Sequence, residues 1–179
     1  MDNSIDVFIS HSSDDVELVK MLIDLIRKAF NIPSKKIRCT SIAGYRLPLG
    51  SNTSSTLRNE VNESKVFIGV ITPNSIKSVF TMFEFGARWG SRLAFLPIIC
   101  DKSGFDLLSG PLTDINAANA NEKDSIQEFL ENLGRLLDIP MEPLSSFSSD
   151  IDKFEKYIKN DISQQKKCSV KDISGIFAH

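Results

Sequence analysis

The sequence predicts an α/β domain in which helices cover both faces of a parallel sheet. Two observations support this fold class. Short apolar segments typical of strands alternate with helix-patterned segments over the first 100 residues, and the segment at 66–72 is apolar throughout, as expected of a strand buried on both faces. The alternation implies right-handed strand–helix–strand units and a doubly wound sheet, for which the strand order 2-1-3-4 is natural. With no internal repeat or linker, we expect a single domain at 1–165 and a poorly ordered tail at 166–179.

The elements of the first half follow from apolar spacing and from loop residues. Val19, Leu22, Ile26 and Ala29 recur at helical spacing, so a helix is expected before Pro33. The predicted order is a strand at 5–10, a polar loop at 11–15, this helix, a strand at 37–41, a loop at 42–55, a helix at 56–63 and a strand at 66–72. The long loop is rich in glycine and hydroxyl side chains, and its length suggests a functional role.

The second half begins with a helix that Ser78 caps and that contains Glu84. A strand at 93–100 follows it. Because Pro97 lacks an amide proton, this strand is expected towards a sheet edge or beside a bulge. The remaining elements are a short fifth strand at 111–116, within a loop-rich region, and amphipathic helices at 124–137 and 150–162.

The composition argues against several classes of partner. The formal charge is −2, the isoelectric point is near 5.7 and the basic residues are scattered, so nucleic acid is not expected as a ligand. The three cysteines form no CxxC motif, which argues against a zinc or other metal site and fits a reducing compartment. The chain shows no basic leader and no apolar segment of the ~20 residues that a membrane span needs. We therefore expect a cytoplasmic protein without a membrane partner.

Glu84 is the leading candidate for a functional residue because it is a carboxylate within the largely apolar segment 78–90. On a helix, Phe80, Glu84 and Ala87 share one face, and Arg88 lies one turn beyond the carboxylate. Two interpretations are open. One is a surface ion pair with Arg88, worth ~0.3–0.5 kcal/mol, and the other is a carboxylate with a chemical role.

Three loops are expected to meet near this helix. In an open parallel sheet, ligands bind at the carboxyl ends of the strands where the strand order reverses, which for 2-1-3-4 lies between strands 1 and 3. The loops at 10–15, 44–50 and 72–78 converge there. The first loop offers hydroxyls and backbone amides near a helix N-terminus, which suit a phosphate or a ribose and equally suit simple helix capping.

Several familiar functions of this architecture lack their residues here. A phosphorylated receiver needs an aspartate after strand 3, where the chain continues with Thr72, and Asp14 and Asp15 would repel the phosphate of a flavin nucleotide. The motifs GxGxxG, GxxxxGK[ST] and GxSxG are absent. His11 is the histidine available for a catalytic triad, and no nucleophile with a distinctive setting accompanies it. Among the functions considered, chemistry by the carboxyl group of Glu84 remains.

Four segments, in order, resemble the Toll/interleukin-1 receptor (TIR) domain in the form found in bacterial proteins. Asp-Val-Phe-Ile-Ser-His-Ser-Ser-Asp-Asp (6–15) is similar to its first strand and loop, and 57–72 is similar to its second helix and central strand. The segment 78–86 resembles its small-residue, aromatic and glutamate pattern, and 93–100 resembles its fourth strand with a proline. The resemblance extends over about 5–165.

This resemblance implies a flavodoxin-like, three-layer α/β/α fold with the strand order 2-1-3-4-5. In enzymatic members it implies cleavage of NAD+, as substrate, between nicotinamide and ribose, with no permanently bound cofactor. Glu84 would be the catalytic carboxylate, kept ionised by hydroxyls or by Arg88, and Phe80 would stand where many members have tryptophan. The implied substrate contacts are Phe8, Ser10, His11, Ser12, Ser13, Tyr45, Arg46, Leu47 and Phe80. For Arg46, a solvated loop cation is an equally good interpretation.

The resemblance leaves the function open among three classes. An NAD+-cleaving enzyme would form linear ADP-ribose or a cyclic isomer, and the resemblance implies bacterial antiphage defence, TIR–TIR self-association and activation by a separate sensor or phage component. A non-enzymatic module would bind other TIR domains through the second loop, at Arg46 and Leu47. A nucleoside deoxyribosyltransferase-like enzyme would share the sheet and use a glutamate nucleophile.

Overall fold

The computed structural model describes residues 4–47, 53–101, 105, 108, 113 and 116–160. The strands in this part of the chain are β1 (Val7–Ser10), β2 (Ile37–Arg38), β3 (Val66–Ile71), β4 (Phe95–Ile99) and β5 (Ala118–Asn119). The helices are α1 (Val16–Phe30), α2 (Thr53–Glu63), α3 (Pro73–Lys77), α4 (Val79–Gly90), α5 (Lys123–Leu137) and α6 (148–160). The strands are parallel and pair in the order β2-β1-β3-β4-β5, so the expected fold class and strand order are confirmed.

The sheet separates two apolar clusters because successive side chains of a strand point to opposite faces. On β1, Val7 and Ile9 pack with α1, α5 and α6, whereas Phe8 packs with α2 and α4. Right-handed crossovers explain this division, since α1 leads from β1 to one side of the sheet and α2 and α4 lead to the other side. The result is the three-layer α/β/α arrangement.

The two outer strands differ from the expected bounds. β2 ends at Arg38 rather than at residue 41, because the amide of Cys39 donates to Tyr45 O and the chain turns back on itself. β5 occupies Ala118–Asn119, and most of the range 111–116, where a fifth strand is expected, lies outside the described residues. The expected tail at 166–179 and residues 48–52 of the predicted loop at 42–55 lie outside the described residues.

Pro97 is accommodated on the side of β4 that faces β5. The amide of Cys100 donates to Ile71 O on β3, so with strand alternation the nitrogen of Pro97 points the other way. On that side, pairing with β5 begins only at Ile98, one residue later. The proline therefore removes no ladder hydrogen bond, and β4 lies one strand from the edge, as Pro97 indicates.

Arg88 on α4 holds the α2/α4 layer together from inside. Its side chain is 0% exposed, and its guanidinium donates to the backbone carbonyls of Val61 (2.7 Å), Ser64 (2.8 Å), Lys65 (3.3 Å) and Ala94 (3.1 Å). Burial lowers the pKa of Arg88 to about 10, so it remains a cation at neutral pH. Its charge also complements the partial negative charge at the C-terminal end of α2.

None of the helices in the described ranges is long and apolar enough to cross a membrane.

We predict that Arg88→Met lowers the free energy of unfolding by about 3 kcal/mol or more, because it leaves several buried carbonyls without a donor. Urea denaturation followed by circular dichroism measures this loss. Arg135→Met is the matched control, since Arg135 is exposed on α5 and bonds only Asn132 among the described residues. Equal losses in the two variants would contradict the structural role of Arg88.

Candidate functional site

Glu84 lies on the inward face of α4, close to the carboxyl end of β1. Ser78 caps this helix by accepting a hydrogen bond from the amide of Thr81, as the sequence predicts. The Glu84 side chain is 8% exposed, and its Oε2 accepts a short hydrogen bond from the hydroxyl of Ser10, the last residue of β1. The carboxylate is thus at the point where the strand order reverses, the expected ligand position of such a sheet.

The environment of Glu84 favours its neutral form. Burial raises the pKa of Glu84 to about 7, and the hydrogen bond from Ser10 partly offsets this effect. The carboxyl group of Glu84 therefore titrates near neutral pH, whereas an exposed glutamate is already ionised at neutral pH.

The structure excludes one of the two interpretations of Glu84, the surface ion pair with Arg88. Although the two residues are one turn apart, the Arg88 guanidinium points to the carbonyls at the end of α2 and before β4. Those buried carbonyls need donors, and Arg88 is the group that reaches them. Of the two kinds of group expected to keep Glu84 ionised, hydroxyls and Arg88, the guanidinium of Arg88 is engaged elsewhere. The hydroxyl of Ser10 favours the ionised form but only partly offsets the effect of burial on the pKa of Glu84.

The loop after β1 is attached to the loop after β3, as convergence at the switch point requires. The Asp15 carboxylate accepts hydrogen bonds from the hydroxyl of Thr72 (2.6 Å) and from the side-chain amide of Asn74 (2.8 Å). The hydroxyl of Thr81 donates to His11 O (3.3 Å). Sequence reasoning did not identify Asp15 as the residue whose carboxylate joins these two loops. No local pattern signals this contact, because Asp15 and Thr72 lie in loops that are distant in the sequence.

The loop after β2 joins the same region through His11. The imidazole contacts the hydroxyl of Ser41 and lies 3.8 Å from the Sγ of Cys39, and Arg46 donates to Ser41 O (2.8 Å). Burial lowers the pKa of His11 and raises that of Cys39 to about 11. At neutral pH the pair is therefore a neutral imidazole and a thiol, which is not an activated nucleophile.

Three of the expected substrate contacts, Phe8, Tyr45 and Leu47, pack in the apolar clusters on the two faces of the sheet. Phe8 is buried and stacks on Phe67, with 5.4 Å between ring centroids, so its ring belongs to the core. Tyr45 packs with the cluster on the α1 face, and its hydroxyl accepts from Arg27, so its ring is across the sheet from Glu84. Leu47 packs with the cluster on the α2/α4 face.

Ser12 and Ser13 follow β1 in the first loop, and Ser12 caps a local turn. The buried Ser12 side chain accepts from the amide of Asp14 (3.4 Å) and caps the 3-10 turn at Ser13–Asp15, while Ser13 is exposed. For Ser12, the structure therefore shows the capping role that the sequence left as one of two interpretations.

A cavity of about 250 Å³ opens between α2 and α4, with Glu84 in its wall. Phe80, 60% exposed and one turn before Glu84, lines it as the shared helix face predicts. The remaining lining residues are Leu57, Arg58, Val61, Asn62, Phe83 and Ala87. Sequence reasoning missed the α2 wall, although Arg58 and Asn62 share one helix face at a spacing of one turn.

The arrangement suits binding of a cation next to hydroxyl groups. A carboxylate in an apolar wall, with one oxygen held by Ser10, can accept hydrogen bonds and offset a developing positive charge strongly, because the surrounding dielectric is low. Over the described ranges, no group of three or more potential ligand side chains is arranged to hold a metal ion.

Comparison with known proteins identifies one family. A model of the TIR domain matches residues 7–137, which is more than two thirds of the chain and spans the described elements from β1 to α5. No curated protein matches the chain.

We predict that Glu84→Gln stabilises the fold above pH 7. Below about pH 4.5 the carboxyl is protonated in both the folded and the unfolded chain, and between this pH and about 7 only the folded chain keeps the proton, so wild-type stability falls as pH rises. Glutamine does not titrate, so the variant gains roughly 3 kcal/mol over wild type by pH 8. Urea denaturation at pH 4.5 and pH 8 measures the difference. Glu128→Gln, on the exposed face of α5, is the control, and a pH-independent difference for Glu84→Gln would contradict the prediction.

Proposed function

The chain belongs to the TIR domain family, and on that premise we propose that it cleaves NAD+ at the bond between nicotinamide and ribose. The observation that carries the proposal is the buried Glu84 carboxylate, which Ser10 holds at the switch point of the sheet and which also lines the open cavity between α2 and α4. The products are nicotinamide and either linear ADP-ribose or a cyclic isomer.

The chemistry needs charge stabilisation more than proton transfer at the leaving group. When the bond from C1′ of the ribose to the pyridinium nitrogen breaks, its electron pair stays with nicotinamide, which departs as a neutral molecule. The ribose becomes oxocarbenium-like, and a fixed carboxylate stabilises this transition state more than the ground state. Water then adds to C1′ and releases a proton to give ADP-ribose. A nucleophile of the adenosine half adds in its place to give a cyclic isomer.

Each residue near the carboxylate has a role in this proposal. Glu84 in its ionised form accepts hydrogen bonds from the ribose hydroxyls and faces the developing charge. Ser10 holds one carboxylate oxygen and favours ionisation. Phe80 offers an exposed ring face to the nicotinamide from one turn away, although a phenyl ring lacks the N–H that an indole would supply.

A second candidate function is a non-enzymatic TIR–TIR interaction module. One observation favours it: Val79, Phe80 and Phe83 on α4 are 85%, 60% and 77% exposed. An exposed apolar patch of this kind is typical of a protein interface. The two functions are compatible, because an NAD+-cleaving TIR domain that works only in assemblies would need such a surface. We also propose a cytoplasmic role in bacterial antiphage defence, with a separate activator, as the family resemblance implies.

We predict that Glu84→Gln and Glu84→Ala abolish release of nicotinamide from NAD+, because neither side chain carries the charge that stabilises the ribosyl cation. Chromatography of NAD+ incubated with concentrated protein resolves nicotinamide, ADP-ribose and cyclic isomers. Glu128→Gln is the control for loss of one carboxylate and keeps wild-type turnover. Unchanged nicotinamide release by folded Glu84→Gln would overturn the proposed function, and nucleobase exchange on deoxynucleosides would favour the deoxyribosyltransferase-like alternative.

The pH dependence of turnover offers an independent test. The ionised form of Glu84 is the active one, so kcat/KM rises with pH and reaches half its plateau near pH 7. Ser10→Ala removes the hydrogen bond that favours the ionised form, so the midpoint moves to higher pH. A profile of nicotinamide release between pH 5 and pH 9 measures both midpoints. A midpoint shift to lower pH in Ser10→Ala would contradict the role of this hydrogen bond.

A further inference from the structure

The cavity between α2 and α4 contains one cation and one anion that do not pair with each other. Arg58 on α2 and Glu84 on α4 both line this cavity. Arg58 is exposed and makes no hydrogen bond or ion pair with any described residue, while Glu84 is bonded by Ser10. A cation and an anion that line one cavity without pairing suit a ligand that itself carries a positive and a negative charge.

The neighbouring acid on α2 is not available to Arg58. Glu60 accepts two hydrogen bonds from the Arg38 guanidinium, at 2.6 Å and 2.7 Å, and this bidentate pair is largely buried. One turn after Arg58, Asn62 lines the same cavity and likewise makes no hydrogen bond among the described residues. The α2 wall thus presents a guanidinium and an amide whose donors are not bonded to any residue that the structure describes and that can bind a ligand.

We infer that Arg58, assisted by Asn62, binds the diphosphate of the dinucleotide while Glu84 faces the nicotinamide ribose. This inference rests on the proposed function. NAD+ carries a positive nicotinamide on C1′ of that ribose and a diphosphate with two negative charges attached to C5′ of the same sugar. The order of charges along the ligand therefore matches the carboxylate on α4 and the guanidinium on α2. A planar guanidinium is also the side chain that binds phosphate oxygens through two parallel hydrogen bonds.

The size of the cavity agrees with a ligand that the cavity encloses only in part. Pockets that enclose a whole ligand measure roughly 300–1,000 Å³, and the cavity here is about 250 Å³. It therefore accommodates the nicotinamide ribose, with the diphosphate at its rim beside the exposed Arg58. Leu57 and Val61 supply the apolar wall between the two polar ends. Arg58 thus favours a dinucleotide over a nucleoside that lacks phosphate.

Steady-state kinetics on two substrates test this role. NAD+ contains the diphosphate, and nicotinamide riboside has the same scissile bond without any phosphate. We expect Arg58→Gln to lower the ratio of kcat/KM for NAD+ to that for nicotinamide riboside by about tenfold or more, mainly through KM for NAD+. Arg58→Lys keeps the charge and restores part of the ratio. Arg135→Gln, the same charge change on α5 across the sheet, leaves the ratio at the wild-type value.

A binding measurement separates this inference from the proposed function. Isothermal titration calorimetry with ADP-ribose, which retains the diphosphate, needs no turnover. We expect wild type and Arg135→Gln to bind with the same Kd and Arg58→Gln to bind about tenfold more weakly, with circular dichroism confirming the fold of each variant. Equal Kd values for Arg58→Gln and Arg135→Gln, or no binding by wild type, would overturn the inference. Turnover of NAD+ that depends on Glu84 but not on Arg58 would overturn it and leave the proposed function intact.

Discussion

The buried guanidinium of Arg88 is the interaction on which the α2/α4 layer and its site depend. A cation inside a protein is costly unless its donors are satisfied. Arg88 meets this condition by donating to carbonyls at the end of α2 and before β4, which it joins to α4. With the second half of α4 held in this way, Glu84 one turn earlier faces the end of β1. The cavity follows from the same attachment, since α2 forms its other wall.

Glu84 and Arg88 represent two solutions to the burial of charge on one helix. Arg88 has a carbonyl for each part of its guanidinium and serves stability. Burial raises the pKa of Glu84 to about 7, and its one described partner, Ser10, offsets this effect only in part. A carboxylate that the fold leaves incompletely satisfied remains free to bind a ligand cation. Such local cost is typical of functional sites, where the surrounding structure holds a group in an unfavourable environment.

The parts of the fold and site with a periodic or local signal were predictable. The apolar run of β3, the stripe on α1 and the Ser78 cap of α4 all lie where the sequence indicates. The bounds of the short outer strands β2 and β5 were not predictable, because two residues produce no alternation that can be recognised. Spacing also suggested the wrong partner for Arg88, since it shows which residues are neighbours on a helix but not which buried acceptors a long side chain meets. Arg58 and Asp15 were missed because their roles depend on elements distant in the sequence.

The sequence by itself determined the fold class, the strand order and the position of Glu84 near the crevice. The fold class and the position of Glu84 follow from hydrophobic periodicity and the geometry of parallel sheets, and the five-strand order is the one that the family resemblance implies. Only the tertiary structure decided that Ser10 is the partner of Glu84, that Arg88 is a structural clamp and that α2 lines the cavity. These outcomes depend on competition among distant polar groups for a few buried hydrogen-bond partners, and that competition is settled only when the helices pack on the sheet.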